Sequence, residues 1–147
     1  MRLTADRQLL APRDDIWALL EEPHHLSDWW PGYSAIRPDR RGVAEGARWT
    51  AVRSFDPGLL RKPGGEARIV ITAVERRRSF SWHDLEQDFT ARIELAEAGE
   101  YTRARIVLEA PWWRVVLEGL RGLPERSLAR LHNLCQTADS LAGGERG

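Results

Sequence analysis

From residue 48 to residue 110 apolar side chains return at every second position, and from residue 111 to 141 the interval lengthens to three to five. That change of period limits the fold more than any other feature of the chain. A two-residue period gives a strand one buried and one wet face, and a period near 3.6 gives a helix one buried stripe. Arg48 to Phe55 sets Trp49, Ala51 and Phe55 on one face, and Ser79 to Asp84 sets Phe80 and Trp82 against Ser79, Ser81 and His83. Asp88 to Leu95 turns Phe89, Ala91, Ile93 and Leu95 inward. Thr102 to Ala110 answers with Ala104, Ile106 and Leu108 inward and Arg103, Arg105 and Glu109 outward. Ala67 to Glu75 is β-branched and mostly apolar, which predicts a central strand or one buried on both faces. Short turns between the last four runs favour an antiparallel meander.

Before the meander, Leu3 to Leu10 reads as a strand with Leu3, Ala5 and Leu9 on one face. Pro12 suits the first turn of a helix, where its missing N–H would have no partner, and Asp14 and Asp15 complement the helix dipole there. Ile16, Trp17, Leu19 and Leu20 form that helix's stripe, Pro23 ends it, and a second short helix runs from about His24 to Trp29 before a Pro31-Gly32 turn. After the meander, Leu117, Leu120, Leu123, Leu128, Leu131, Leu134, Ala138 and Leu141 mark a helical stripe. Pro124, preceded by Gly119 and Gly122, divides it into a short first part and a long second part. A one-sided sheet and a one-striped helix bury each other only face to face, so the expected class is α+β, with residues 1–142 as a single domain and 143–147 as a flexible tail. A sheet that curls around the helix leaves room for a cavity between them.

Composition narrows the function. The 147 residues carry 22 basic and 22 acidic side chains, so a nucleic-acid partner, which demands a basic surplus, is not expected. Twenty-one of the basic residues are Arg, a skew that codon composition explains as readily as chemistry. Cys135 stands alone, which excludes an intrachain disulfide and fits a reducing compartment. The absence of a long apolar run or a signal-like start makes stable membrane insertion unexpected and a cytoplasmic location the default. Seven Trp (17, 29, 30, 49, 82, 112 and 113) are the informative excess, because indoles line pockets as well as fill cores.

Several stretches together resemble one family. LLAPRDDIWALLEEPHHLSDWWPG (9–32) looks like an opening strand, an alanine-proline break and two helices ending in Trp-Pro. EGARW (45–49) is similar to a Gly-x-x-Trp strand opening, and ITAVERRRSFSWHD (71–84) to a paired-strand motif. PWWRVVLEGL and LARLHNLCQTADSLAG (111–120 and 128–143) resemble a closing helix with a His-Asn dipeptide. These are features of the SRPBCC or START-like superfamily, which includes the polyketide cyclase/dehydrase and lipid-transport family and the birch-pollen-allergen-like proteins. Arg76-Arg77-Arg78 and Tyr101-Thr102 depart from the usual pattern, so no subfamily is assigned. The resemblance implies a helix-grip fold, a curved antiparallel sheet wrapped around a long C-terminal helix with two short helices after the first strand. It also implies binding of a hydrophobic small molecule, lipid- or polyketide-like, between sheet and helix. The alternative is a polyketide cyclase/dehydrase-like enzyme using the same cavity.

On that fold Trp29 and Trp30 fall near the cavity mouth, one ring in the core and the other lining the opening. Trp49, Phe55, Trp82, Phe89 and Ile106 point inward by parity, either as core or as cavity lining. Arg53 and Asp84 share that parity and are placed at a pocket rim, and Leu131 faces the sheet from the helix. His24, His25 and Asp28 do not present enough ligands on one face for a metal, so neither a metal nor another cofactor is expected. His83 by parity points outward and His132 adjoins core Leu131; neither identifies a catalytic residue. Residues 56–67 form a turn-rich loop carrying Leu59 and Leu60, read either as a lid or as an ordinary hairpin loop. Cys135 reads as core, the Arg-rich turn as solvated, and a homodimer is compatible with the sequence.

Overall fold

The computed structural model describes residues 1–54 and 65–145, with side chains described through Gln136. Seven strands form one antiparallel sheet in the order β1-β7-β6-β5-β4-β3-β2: β1 (Arg2–Leu9), β2 (Tyr33–Arg37), β3 (Arg48–Arg53), β4 (Glu66–Glu75), β5 (Ser79–Asp84), β6 (Phe89–Ala98) and β7 (Tyr101–Glu109). Between β1 and β2 lie α1 (Arg13–Leu20), a 3-10 turn over Pro23–His25 and α2 (Leu26–Trp29). The chain closes with α3 (Trp112–Glu118) and α4 (Leu123–Glu145), the latter packed on β1, β7 and α2. This is the α+β helix-grip architecture.

Strand parity holds for the inward side chains of β3 to β7. Trp49 pairs with Ile69, Ile71 with Trp82, Trp82 with Ala91, and Ile93 with Ile106, so the inward side chains line up strand to strand on the face that meets α4. Each buried Leu, Ile or Phe on that face contributes on the order of 1.5–3 kcal/mol. Ala51, Ala67 and Ala104, also buried, keep the layer thin enough for the large rings beside them. β4 is an interior strand of the sheet, between β5 and β3, as one of the two expectations had it, and not buried on both faces: Ala67, Ile69 and Ile71 are buried while Arg68 and Thr72 are exposed. Its β-branched content reflects strand propensity alone.

β2 has no counterpart in the sequence reading. A register shift between Tyr33 and Ala35 lets both Tyr33 and Ile36, three apart, turn into the core, so strict alternation is lost. α1 ends at Leu20, capped by Glu21, just before Pro23 as expected, and Pro23 itself opens the 3-10 turn that leads into α2. The break near Pro124 is present. Gly119, in the left-handed region at φ 65°, caps α3, and α4 starts at Leu123. α4 continues to Glu145, two residues past the start of the expected tail. Leu117 is a correction: instead of continuing the buried stripe it lies on an exposed face of α3, because α3 and α4 are separate rods and the helical phase does not carry across Gly119–Gly122.

Candidate functional site

The inward face of β5 sets Phe80, Trp82 and Asp84 in a row, and the residues around them form one aromatic cluster. Trp82 meets Trp30 edge-on with ring centroids 4.9 Å apart, and Trp29 at 5.9 Å. Phe89 stacks on Trp30 at 5.9 Å, and Phe80 links the group to Trp17 at 6.3 Å. Edge-to-face contacts of this kind fix ring orientation beyond what area burial does. Trp29 and Trp30 are both fully buried, so neither lines a mouth. Adjacent residues at the end of a four-residue helix can both point inward here because α2 lies beneath α4, and Trp30 already has extended backbone. Gly32 makes this possible, since a Cβ there would come within 3.1 Å of Trp30 Nε1.

A polar chain runs from the cluster to the end of the sheet. Trp82 Nε1 donates to Tyr33 Oη at 3.3 Å, and Tyr33 Oη donates to Asp84 Oδ2 at 2.7 Å. The turn after β5 folds back so that the Glu86 and Gln87 amides donate to Asp84 Oδ1 at 2.9 and 2.8 Å. Burial pushes the Asp84 carboxyl above its ordinary range, against the pull of these hydrogen bonds and of the Arg53 charge. Burial and the neighbouring Asp84 charge hold the Tyr33 hydroxyl well above its usual value, so it stays protonated. Beside this pair, Glu118 of α3 accepts from Arg53 Nη2 at 3.1 Å and Gln87 Nε2 at 3.0 Å, with Arg114 Nη1 at 3.5 Å.

Three indole N–H groups in the cluster, Trp17 Nε1, Trp29 Nε1 and Trp30 Nε1, are buried with no hydrogen-bond partner among the described residues, and those of Trp29 and Trp30 belong to adjacent residues. Trp49, by contrast, is tied to the Gly42 carbonyl at 3.0 Å.

Trp49, Trp82, Phe89, Ile106 and Leu131, expected to face inward, are all buried, whereas Trp29 and Trp30, expected near a cavity mouth with one ring lining the opening, are both buried as well. Arg53 does sit at an edge, paired to Glu118, but Asp84 is not at a rim: it is wholly buried, since its hydrogen bonds come from within the protein. Phe55 and the proposed lid residues Leu59 and Leu60 lie outside the described residues. Tyr33 was missed, because the bulge in β2 hides its parity. Elsewhere, His25 pairs with Asp28 at 2.8 Å on the surface, and no group among the described residues gathers three metal-ligating side chains. His83 faces outward onto Thr90, and His132 Nδ1 is a buried atom without a partner among the described residues. Burial raises the Cys135 thiol, with the Asp15 charge adding to it. Among the described residues no helix is long and apolar enough to cross a membrane.

A curved antiparallel sheet closed by a long terminal helix defines the helix-grip class. The polyketide cyclase/dehydrase and lipid transport family model matches residues 1–136, and the chain belongs to that family within the SRPBCC superfamily. Among solved structures, protein NE0264 from Nitrosomonas europaea is similar at 20% identity and a TM-score of 0.73, covering 94% of this chain and 96% of that one. The AHSA1-like protein from Aeromonas hydrophila is similar at 14% identity and a TM-score of 0.72, with coverage of 95% and 94%. Protein MLL2253 from Mesorhizobium loti gives 19% and 0.71, with 93% and 98% covered. At these identities the likeness is one of fold. No curated protein matches the sequence.

Proposed function

We propose that this chain binds a hydrophobic small molecule, lipid- or polyketide-like, between the sheet and α4. Trp29, Trp30, Trp82 and Phe89 would form its apolar wall, and the Tyr33–Asp84 pair would meet a polar group. Family membership supports the class of ligand. The observation that carries the reading is the pair of buried, unpartnered indole N–H groups at Trp29 and Trp30. A buried donor without an acceptor costs about 1–3 kcal/mol, so two side by side mark a place where an incoming molecule supplies the acceptor. Trp49, Ile106 and Leu131 extend the apolar lining, and Arg53 lies at its edge.

A second reading, a cyclase/dehydrase-like enzyme, is favoured by one observation: Tyr33 and Asp84 are two titratable groups 2.7 Å apart in the same interior. A carboxyl whose affinity for a proton is raised by burial is suited to exchange one with a bound carbonyl or hydroxyl compound.

Native mass spectrometry of the purified protein, with tryptophan fluorescence titrated by palmitate and by anilinonaphthalene sulfonate, tests binding. Saturable quenching that weakens in Trp30→Leu is expected, while an unliganded mass and no saturable change with either probe would overturn the binding reading. The enzyme reading further requires that Tyr33→Phe retain binding and lose turnover of an aromatic polyketide surrogate.

A further inference from the structure

The outer surface of α3 is the least compatible with water of any part of the described chain. Trp112 is 67% exposed, Val116 65%, Leu117 61% and Trp113 42%, and Leu85 in the turn after β5 adds 52%. Positions 112, 113, 116 and 117 share one broad side of a helix, while Val115 points into the core and Glu118 reaches back to Arg53 and Gln87. α3 is therefore anchored from below and apolar above. We propose that this side of α3 is an interface with a second copy of the same chain, an inference that goes beyond the ligand-binding reading and does not depend on it.

Three observations select a second copy as the occupant. The five side chains expose on the order of 600 Å² per copy, so a two-fold pairing would remove about 1,200 Å² in total, the lower bound of a specific stable interface. The border carries both signs of charge, Arg121 just beyond α3 and Glu86 and Asp88 beside Leu85, while Arg114 stacks over Trp113 and pairs with Glu118 in its own copy. A two-fold axis through such a patch can set the cations of one copy against the acids of the other. The chain has a formal net charge of zero, so two copies do not repel each other. An anionic lipid surface would instead call for a basic surplus around the Trp pair, and the border is balanced.

Sedimentation velocity and light scattering across a dilution series of the full chain test this, together with Trp112→Ser and Val116→Arg. The wild type is expected to approach twice the 16.8 kDa chain mass at concentrations of about 100 µM, and each variant to dissociate at least about tenfold more readily. Both side chains are exposed, so the circular dichroism spectrum and melting temperature of each variant should match the wild type; the second variant covers the case in which the first misfolds. A wild type that stays monomeric throughout the series overturns the proposal, as does a dimer that neither folded variant weakens. A monomer that cosediments with phosphatidylcholine/phosphatidylglycerol vesicles also overturns it and would assign the patch to a lipid surface. Probe binding followed by tryptophan fluorescence in the same variants reads the interior separately.

Discussion

The two faces of one sheet use polar chemistry in opposite ways. On the outer face the strands carry exposed or half-buried ion pairs, Arg105 with Asp6 at 2.8 Å and Arg92 with Glu94 at 2.9 Å, beside two buried serines, Ser79 held by Arg92 at 3.2 Å and Ser81 by Thr72 at 2.7 Å. On the inner face one short chain, Trp82 to Tyr33 to Asp84, stands among aromatic rings. β5 alone shows the contrast, for His83 and Asp84 are neighbours, yet His83 meets Thr90 at the surface and Asp84 is wholly buried. The charged ends of the outer ion pairs reach solvent, so water can replace a lost partner. The inner chain has few members, and water cannot take their place. Polar groups on the two faces therefore differ in what their loss costs, and that difference can be measured.

The largest effect should come from Trp82→Ala, which empties the centre of the cluster and should destabilise the fold by about 3–5 kcal/mol in urea unfolding. A loss below about 1 kcal/mol would mean the inner face tolerates collapse, and the contrast with the outer face would fail. Tyr33→Phe keeps the ring but leaves Asp84 Oδ2 without its donor and Trp82 Nε1 without its acceptor, at an expected cost of about 1–3 kcal/mol.

Asp84→Asn sharpens the comparison through pH. Because burial raises the native Asp84 value above 3.8, the folded state holds that proton more tightly than the unfolded chain. The stabilisation from the neutral form is complete below 3.8 and is lost as pH rises through the native value. Subtracting the melting temperatures of Asp84→Asn from those of the wild type across this range should show a decline with pH; a flat difference would sink the assignment. The smallest effect is expected on the outer face, where Arg105→Ala should cost at most about 1 kcal/mol, the ordinary range for an exposed pair. If it costs as much as Tyr33→Phe, the two faces are not distinct in kind.

How much of this was legible in the sequence follows from the same geometry. Parity is a local property, so the inward direction of Trp49, Trp82, Phe89 and Ile106 could be read from their own neighbours. It could not show how deep a residue lies: Asp84 has the right parity for a rim, and only the turn that folds the Glu86 and Gln87 amides onto it makes full burial tolerable. Tyr33 was hidden by a bulge, which breaks the two-residue period at the one position that completes the polar chain. Leu117 has the correct spacing for the stripe of α4, but spacing carries a helical phase only as far as the helix continues, and Gly119 ends it.

The pairing of β1 with β7 has a consequence for how the molecule is made. Arg2 lies opposite Glu109 and Leu9 opposite Thr102, so among the described residues β1 finds its one sheet partner about a hundred residues later. Hairpins β4 to β7 close over short turns and can form as they emerge, whereas β1 must close a loop of about ninety residues, from Leu9 to Thr102. During synthesis its eight residues wait beside the ribosome without a strand to pair with until residues 101–109 have cleared the exit tunnel. Pulse-labelled hydrogen exchange during refolding should accordingly protect the amides of β5 and β6 before those of β1.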